Sequence, residues 1–312
     1  MIYAYKKYRH NTYMEGKVSI CETYVIYVII MIVIISYYIF IHKPSKESFK
    51  SIGTITLKKN EDIYDDFYIS VYDDLLHDDF RCDWEIGYMV KVVEPGNDII
   101  LLDIGSGTGN TVDTCVNIGI NAIGIDKSKA MVNYSNKKFP NHDFKTGDIL
   151  NSMIFDPEKF DIITCFYFTI YYIKNKRLFF DNCIKFLKPG GHIVLHLVDR
   201  DKFDTLLPSS NPLYMISPQD YATKRITRSV GKFENHDYVS DFVFNGSNVT
   251  FVETFTDKKT KDVRKHELSL YMETQKEILE IARSVGFILL SSIEMKHCGH
   301  TEQYLYVLQK PR

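Results

Sequence analysis

Leu101-Leu102-Asp103-Ile104-Gly105-Ser106-Gly107-Thr108-Gly109-Asn110 is the stretch on which the reading of this chain turns. The run Ile99 to Ile104, apolar but for Asp103, reads as a buried strand, and Asn110 to Ile118 reads as a helix. Glycines between a strand and a helix let a ligand approach the backbone at the helix N-terminus. Spacing limits which ligand. A dinucleotide fingerprint, G-x-G-x-x-G, needs its third glycine where Asn110 stands, and no Gly-Lys-Ser/Thr of a phosphate loop follows. Asp103, two residues before the first glycine, suits a ligand bearing an ammonium group better than a pyrophosphate.

Around this stretch the hydrophobic periods alternate as βαβ units do. Strands are expected at Ala122 to Ile125, Asp143 to Thr146, Phe160 to Phe166 and His192 to Val198, with helices at Lys129 to Phe139 and Asn175 to Leu187. The acidic-aromatic segment from Asp65 and the segment from Trp84 to Val93 read as helices that precede the first strand. Beyond Asp199 the pattern changes. Ser240 to Phe244, Val249 to Thr256 and Val263 to Tyr271 read as an antiparallel meander, followed by a helix at Thr274 to Val285 and strands at Ile288 to Met295 and Gln303 to Gln309.

The motif D-x-G-x-G-x-G after the first strand resembles motif I of the class I S-adenosylmethionine-dependent methyltransferases, of the type 11/25-like kind. Four later stations match in order: Asp126 closing Ile123-Gly124-Ile125-Asp126, Gly147-Asp148-Ile149, Phe160 to Cys165, and Leu187-Lys188-Pro189-Gly190-Gly191; Glu280 to Phe287 is like the family's last helix. The resemblance implies an α/β, Rossmann-like seven-stranded methyltransferase sheet with an inserted antiparallel β-meander, and S-adenosyl-L-methionine as cofactor. It implies that Asp126 holds the ribose hydroxyls, Met131 lies against adenine, and Asp148 with the Ile149 N–H meets the adenine edge. On the same resemblance Asp103 is expected to face the ammonium while Gly105 and Gly107 clear space; Ser106, Gly109, Lys127, Gly147 and Cys165 complete the expected cofactor set. Tyr68, Tyr72 and Asp73 resemble an N-terminal lid, Tyr72 being the residue expected at the cofactor, with amphipathic-helix packing as the other reading of these tyrosines.

Methyl transfer from a sulfonium needs mainly alignment and exclusion of water, so no catalytic constellation is obligatory. Acceptor-side candidates are Tyr167, Tyr171 and Tyr172 after the fourth strand. His196 in the fifth strand is either a base or a histidine satisfied within the sheet, and the second reading is favoured. An Asn/Asp-Pro-Pro-Tyr/Phe motif is absent after Thr164, which speaks against adenine- and glutamine-directed chemistry. The six cysteines are scattered without a Cys-x-x-Cys pair, and no metal is expected.

Thr23 to Ile41 holds no charged residue, with tyrosines near both ends. This predicts a transmembrane helix at 23–41, after a polar tail (1–22) and before a linker (42–60) and a methyltransferase domain (61–312) whose insertion spans 199–272. Lysines and arginines flank the span too evenly to orient it. Because the cofactor is cytosolic, the catalytic domain is expected to face the cytosol, and Asn133, Asn245 and Asn248 are glycosylation sequons that test this. The combination also resembles membrane-anchored methyltransferases of large DNA viruses. Across 312 residues the net charge is −2, which argues against a nucleic-acid partner. A small-molecule or lipid-like acceptor is expected, with a catalytically degenerate membrane scaffold as the rival reading.

Overall fold

The computed structural model describes residues 20–41, 53–205 and 218–312; the rest of the expected tail, residues 42–52 of the linker and 206–217 of the insertion lie outside the described residues. The chain divides into two compact units, Met1–Ile52 and Gly53–Arg312.

In the first unit the uncharged run forms helix α1, Ile20–Ile41, whose described side chains, Tyr24, Val25 and 27–38, are exposed. No helix among the described residues is long and apolar enough to cross a membrane. The transmembrane helix expected at 23–41 is corrected accordingly, and with it the single-pass placement and cytosol-facing topology.

The second unit opens with a short strand, β1 (Ile55–Lys59), inside the stretch read as linker, and with helices α2 (Asp66–Leu76) and α3 (Asp79–Val93). Asp65 and Asp78 cap the two helices by accepting hydrogen bonds from the Tyr68 and Arg81 N–H groups. Then come β2 (Ile100–Ile104), α4 (Asn110–Asn117), β3 (Asn121–Asp126), α5 (Lys129–Lys138), β4 (Asp143–Thr146), β5 (Phe160–Cys165), a single turn α6 (Thr169–Tyr172), α7 (Lys176–Phe186) and β6 (Leu187–Val198). Ser128 caps α5 and Asn175 caps α7 in the same manner. After the insertion, α8 (Gln275–Val285) begins with a Thr274–Glu277 capping box and ends at Gly286, φ 118°. Strands β11 (Ile288–Glu294) and β12 (Gln303–Gln309) follow.

The main sheet has seven strands, ordered β11-β12-β6-β5-β2-β3-β4. Pairs among β2 to β6 are parallel, and β12 joins β6 antiparallel. Strand order reverses on either side of β2, which opens a crevice beyond its carboxyl end. The insertion is a second sheet of five strands, ordered β1-β10-β9-β8-β7, built from β7 (Arg228–Lys232), β8 (His236–Asn245), β9 (Asn248–Asp257) and β10 (Val263–Tyr271), with β1 parallel to β10. The expected meander is therefore larger by β7 and β1. Both additions are short edge strands whose period is too brief to read from sequence. Phe242, Phe251 and Phe255 of this sheet are buried in one continuous core with Tyr68 of α2 and with Phe168 and Leu197 of the Rossmann-like half. The second sheet thus shares a hydrophobic core with the first.

Gly109 serves packing. It sits at φ 90°, and a Cβ there would lie 2.6 Å from the Phe144 ring and 3.1 Å from the Ser135 Cβ. Gly109→Ala is expected to lower stability by about 2–4 kcal/mol, from the left-handed backbone and overpacking together. A lower urea midpoint at unchanged slope is the measurement that checks it.

Candidate functional site

The crevice beyond β2 holds two contiguous cavities. The larger, about 470 Å³, is lined by Asp126, Lys127, Met131, Gly147, Asp148 and Ile149 on one side and by Tyr64, Tyr172, Leu268, Ser269 and Tyr271 on the other. The smaller, about 100 Å³, is lined by Asp73, Arg81, Glu85, Asp103, Ser106 and Phe166 to Thr169. Tyr72, Ile104, Gly105, Gly107, Thr169 and Tyr172 border both.

Local folding explains why these side chains converge. Gly105 and Gly107 take φ of 71° and 52°, and the Gly105 and Ser106 N–H groups both donate to the Ile125 carbonyl, which fastens the loop to the end of β3. A Cβ on Gly105 would lie 2.5 Å from the Thr169 side chain. Asp126, the last residue of β3, accepts hydrogen bonds from the Gly107 N–H (2.9 Å) and the Ser128 N–H (2.8 Å). Gly147 then donates to the Asp126 carbonyl, which brings the Gly147-Asp148-Ile149 turn alongside. Asp148 accepts from the Leu150 N–H, and one of its oxygens lies 3.4 Å from Lys127 Nζ, which also pairs with Glu61 at 2.5 Å.

Burial sets the electrostatics. Asp103 is 3% exposed, and burial pushes its carboxyl up to about 7 despite the hydrogen bond that Thr164 Oγ1 donates at 2.7 Å; Glu85 and Asp126 nearby push the same way. Burial likewise raises Asp126, against the opposing pull of its two backbone donors. A cationic ligand between them would relieve both. Arg81 of α3 is 7% exposed and borders the smaller cavity; its Nε faces Glu85 Oε2 at 3.9 Å, Nε and Nη1 make no hydrogen bond, and its guanidinium lies 4.3 Å from the Tyr167 ring. A buried guanidinium N–H without a hydrogen bond is costly even beside a counter-ion, and a ligand carboxylate would satisfy it.

The donor set therefore fits S-adenosylmethionine. Carboxylates stand ready for hydroxyl, amino and ammonium donors, a guanidinium edge for a carboxylate, and glycines where side chains would block the loop. Arg81 escaped the sequence reading because α3 begins at Asp79, a turn before the expected Trp84, and no motif marks the position.

Four expected site residues lie off the cavities. Gly109 packs under Phe144, as described. Cys165 is fully buried in β5, where burial pushes its thiol up. Tyr171 is fully buried, and its hydroxyl accepts from the Val198 N–H at 2.8 Å. His196 is fully buried in β6, with Nε2 3.0 Å from Gln303 Oε1 and Nδ1 3.4 Å from Glu85 Oε1, and burial lowers its pKa. It is held within the sheet, the reading favoured from sequence. Tyr167 and Tyr172 do line the cavities, and Tyr167 takes φ 52°, a strained geometry for a non-glycine residue.

Tyr171→Phe is expected to cost about 1–3 kcal/mol of stability, because the Val198 N–H is left buried without an acceptor. Cofactor affinity should stay within twofold of wild type; chemical denaturation and calorimetry read the two effects separately.

Comparison with known proteins agrees with this geometry. A family model described as a methyltransferase domain matches residues 102–195. Protein 235L of Invertebrate iridescent virus 6, whose name places it among methyltransferases, is 36% identical over 98 residues, which are 30% of this chain and 36% of that protein. The ubiquinone biosynthesis O-methyltransferase of Proteus mirabilis is 24% identical over 110 residues, 33% of this chain and 43% of that protein. The matched region thus spans less than half the length of either relative.

Among solved structures, an S-adenosylmethionine-dependent methyltransferase from Clostridium acetobutylicum superposes with a TM-score of 0.60 at 18% identity, over 79% of this chain and 98% of that one. The S-adenosylmethionine-bound amino pentose methyltransferase CalS10 of Micromonospora echinaspora gives 0.56 at 19% identity, over 79% and 98%. The chain thus shares its overall fold with these solved S-adenosylmethionine-dependent methyltransferases.

Proposed function

We propose that this chain transfers a methyl group from S-adenosylmethionine to a small polar acceptor. The observation that carries the reading is the convergence of Asp103, Asp126 and Asp148 with the Gly105–Gly107 loop on one crevice at the ends of β2, β3 and β4. Asp126 is assigned to the ribose hydroxyls, Met131 and Ile149 to the adenine faces and edge, and Asp148 to its amino group. Asp103 takes the ammonium and Arg81 the carboxylate of the methionine end. The cofactor, when bound, supplies an activated methyl on a sulfonium. The chain's part is to hold that methyl against Tyr167, Thr169 and Tyr172, exclude water, and orient the incoming acceptor.

A small polar acceptor is favoured by the wall that β10 contributes, Ser269 and Tyr271 beside Tyr64 and Tyr172. It is also favoured by similarity to proteins named for amino sugar methylation, CalS10 and the sugar N-methyltransferase KedS8 of Streptoalloteichus. Titration of the full chain with S-adenosylmethionine should show one saturable site. Label transfer from methyl-tritiated cofactor to a panel of amino sugars, hydroxy sugars and phenols then tests the acceptor class. A folded chain that shows no heat of binding at millimolar cofactor sinks the proposal.

A further inference from the structure

Helix α2 roofs both cavities through Tyr72, and the smaller one also through Asp73 and Leu76. The Tyr72 hydroxyl lies 3.9 Å from the place where a Cβ on Gly107 would stand, so this side chain rests on the glycine loop. Two polar networks hold the helix, one at each end. At its N-terminus Asp65 pairs with Lys58 of β1 and with Arg264 of β10. Burial alone would raise the Asp65 carboxyl, but hydrogen bonds from Arg264 and Lys58 outweigh it and bring it down to about 2.

Toward the C-terminal end, Asp73 accepts from Thr108 Oγ1 (2.6 Å) and Asn110 Nδ2 (3.3 Å) of the glycine loop and from Lys138 Nζ (2.8 Å) at the end of α5. Lys138 also donates to Asn110 Oδ1 at 2.6 Å, which closes the network. Lys138 borders neither cavity.

The two ends differ in what they hold. The N-terminal network binds α2 to the second sheet, which shares the main core through Tyr68 and Phe255. The C-terminal network binds α2 to the loop that carries the cofactor. Tyr72 and Leu76 line the smaller cavity from the C-terminal half of α2, so the C-terminal network is the one next to the methionine end of the ligand.

We propose that Lys138 is a positioning residue: through Asp73 and Asn110 it clamps α2 onto the glycine loop, seats Tyr72 over the methionine end of the cofactor, and thereby sets the rate of cofactor exchange. This rests on the cofactor reading above. Lys138 acts from outside the cavities, with its charge shared between a carboxylate and an amide oxygen that belong to the roof and the loop.

The test uses the full chain as wild type, Lys138→Met and Lys138→Arg. Hydrogen exchange of the α2 amides is followed in the unliganded protein, and release of S-adenosylhomocysteine is timed by displacement. Lys138→Met is expected to speed both α2 exchange and release by roughly three- to tenfold, with exchange in β2 and β3 unchanged, and Lys138→Arg to restore both. Added salt should speed release from the wild type more than from Lys138→Met. The clamp is overturned if α2 exchange is the same in all three chains, or if it rises while release does not. A wild-type chain that binds no S-adenosylhomocysteine overturns the cofactor reading and the exchange-rate role together, and the α2 amides then still report whether Lys138 holds the helix.

Discussion

Asp126→Ala is expected to weaken S-adenosylmethionine binding by roughly 10²- to 10⁴-fold. Under the proposed function its carboxylate receives the two ribose hydroxyls, and hydrogen bonds to a charged acceptor contribute about 1.5–3 kcal/mol each. The same side chain accepts from the Gly107 and Ser128 N–H groups, so its removal also loosens the glycine loop. Asp126→Asn separates the two contributions. The amide oxygen can still accept from one backbone donor, but its NH₂ end cannot accept from a ribose hydroxyl, so affinity should stay well below wild type while folding recovers. Calorimetry with a circular-dichroism check on folding reads both variants. An affinity within threefold of wild type in Asp126→Ala would remove the ribose assignment.

Cofactor affinity is also expected to depend on pH through Asp103. Its carboxyl is raised to about 7 in the unliganded chain, chiefly by burial, against about 3.9 when unfolded. Between these values the folded chain holds a proton that the unfolded chain has released. The contribution of Asp103 to stability is therefore fully present below about pH 4 and is lost as pH rises through about 7. Binding a cationic ligand runs the other way, because the ammonium needs the carboxylate ionised. Affinity should rise with pH up to about 7 and then level off, being about tenfold weaker at pH 6 than on the plateau. Near pH 6 about one proton should be released per cofactor bound, which calorimetry in buffers of different ionisation enthalpy detects. Asp103→Asn should flatten the slope and lower the plateau; subtracting its profile also removes the titration of the cofactor's own amino group. Identical slopes in the two proteins would assign the pH dependence elsewhere.

Both predictions concern residues that the sequence marked, and the reason is local. Asp103, the glycines, Asp126 and Asp148 each end a strand or sit in the turn that follows it, and a parallel βαβ sheet places all such ends on one edge. The order of the stations was therefore enough to bring them together. Residues within strands or helices were harder. His196 and Cys165 lie in the right strands, but side-chain direction depends on register and twist, and both point into the packed interior. Tyr171 and Tyr172 are neighbours in a single turn of helix. One is fully buried against Val198, and the other is 41% exposed in the cavity wall.

The run at 23–41 shows a different limit. Length and lack of charge predict a helix, and α1 is one; membrane crossing is a further step that the described residues do not support.

By itself the sequence determined the alternating strands and helices and the glycine loop between the first pair, because these follow from period and turn chemistry along neighbouring residues; the seven-stranded sheet and its acidic stations came from the family resemblance that those motifs carry. Only the tertiary structure decided that β1 and β10 pair across 208 residues, that the second sheet shares the main core, that Arg81 borders the smaller cavity, and that Lys138 meets Asp73 of α2 outside it. Those contacts join residues far apart in the chain. Their selection lies in packing and in the pairing of buried polar groups, which no local pattern records.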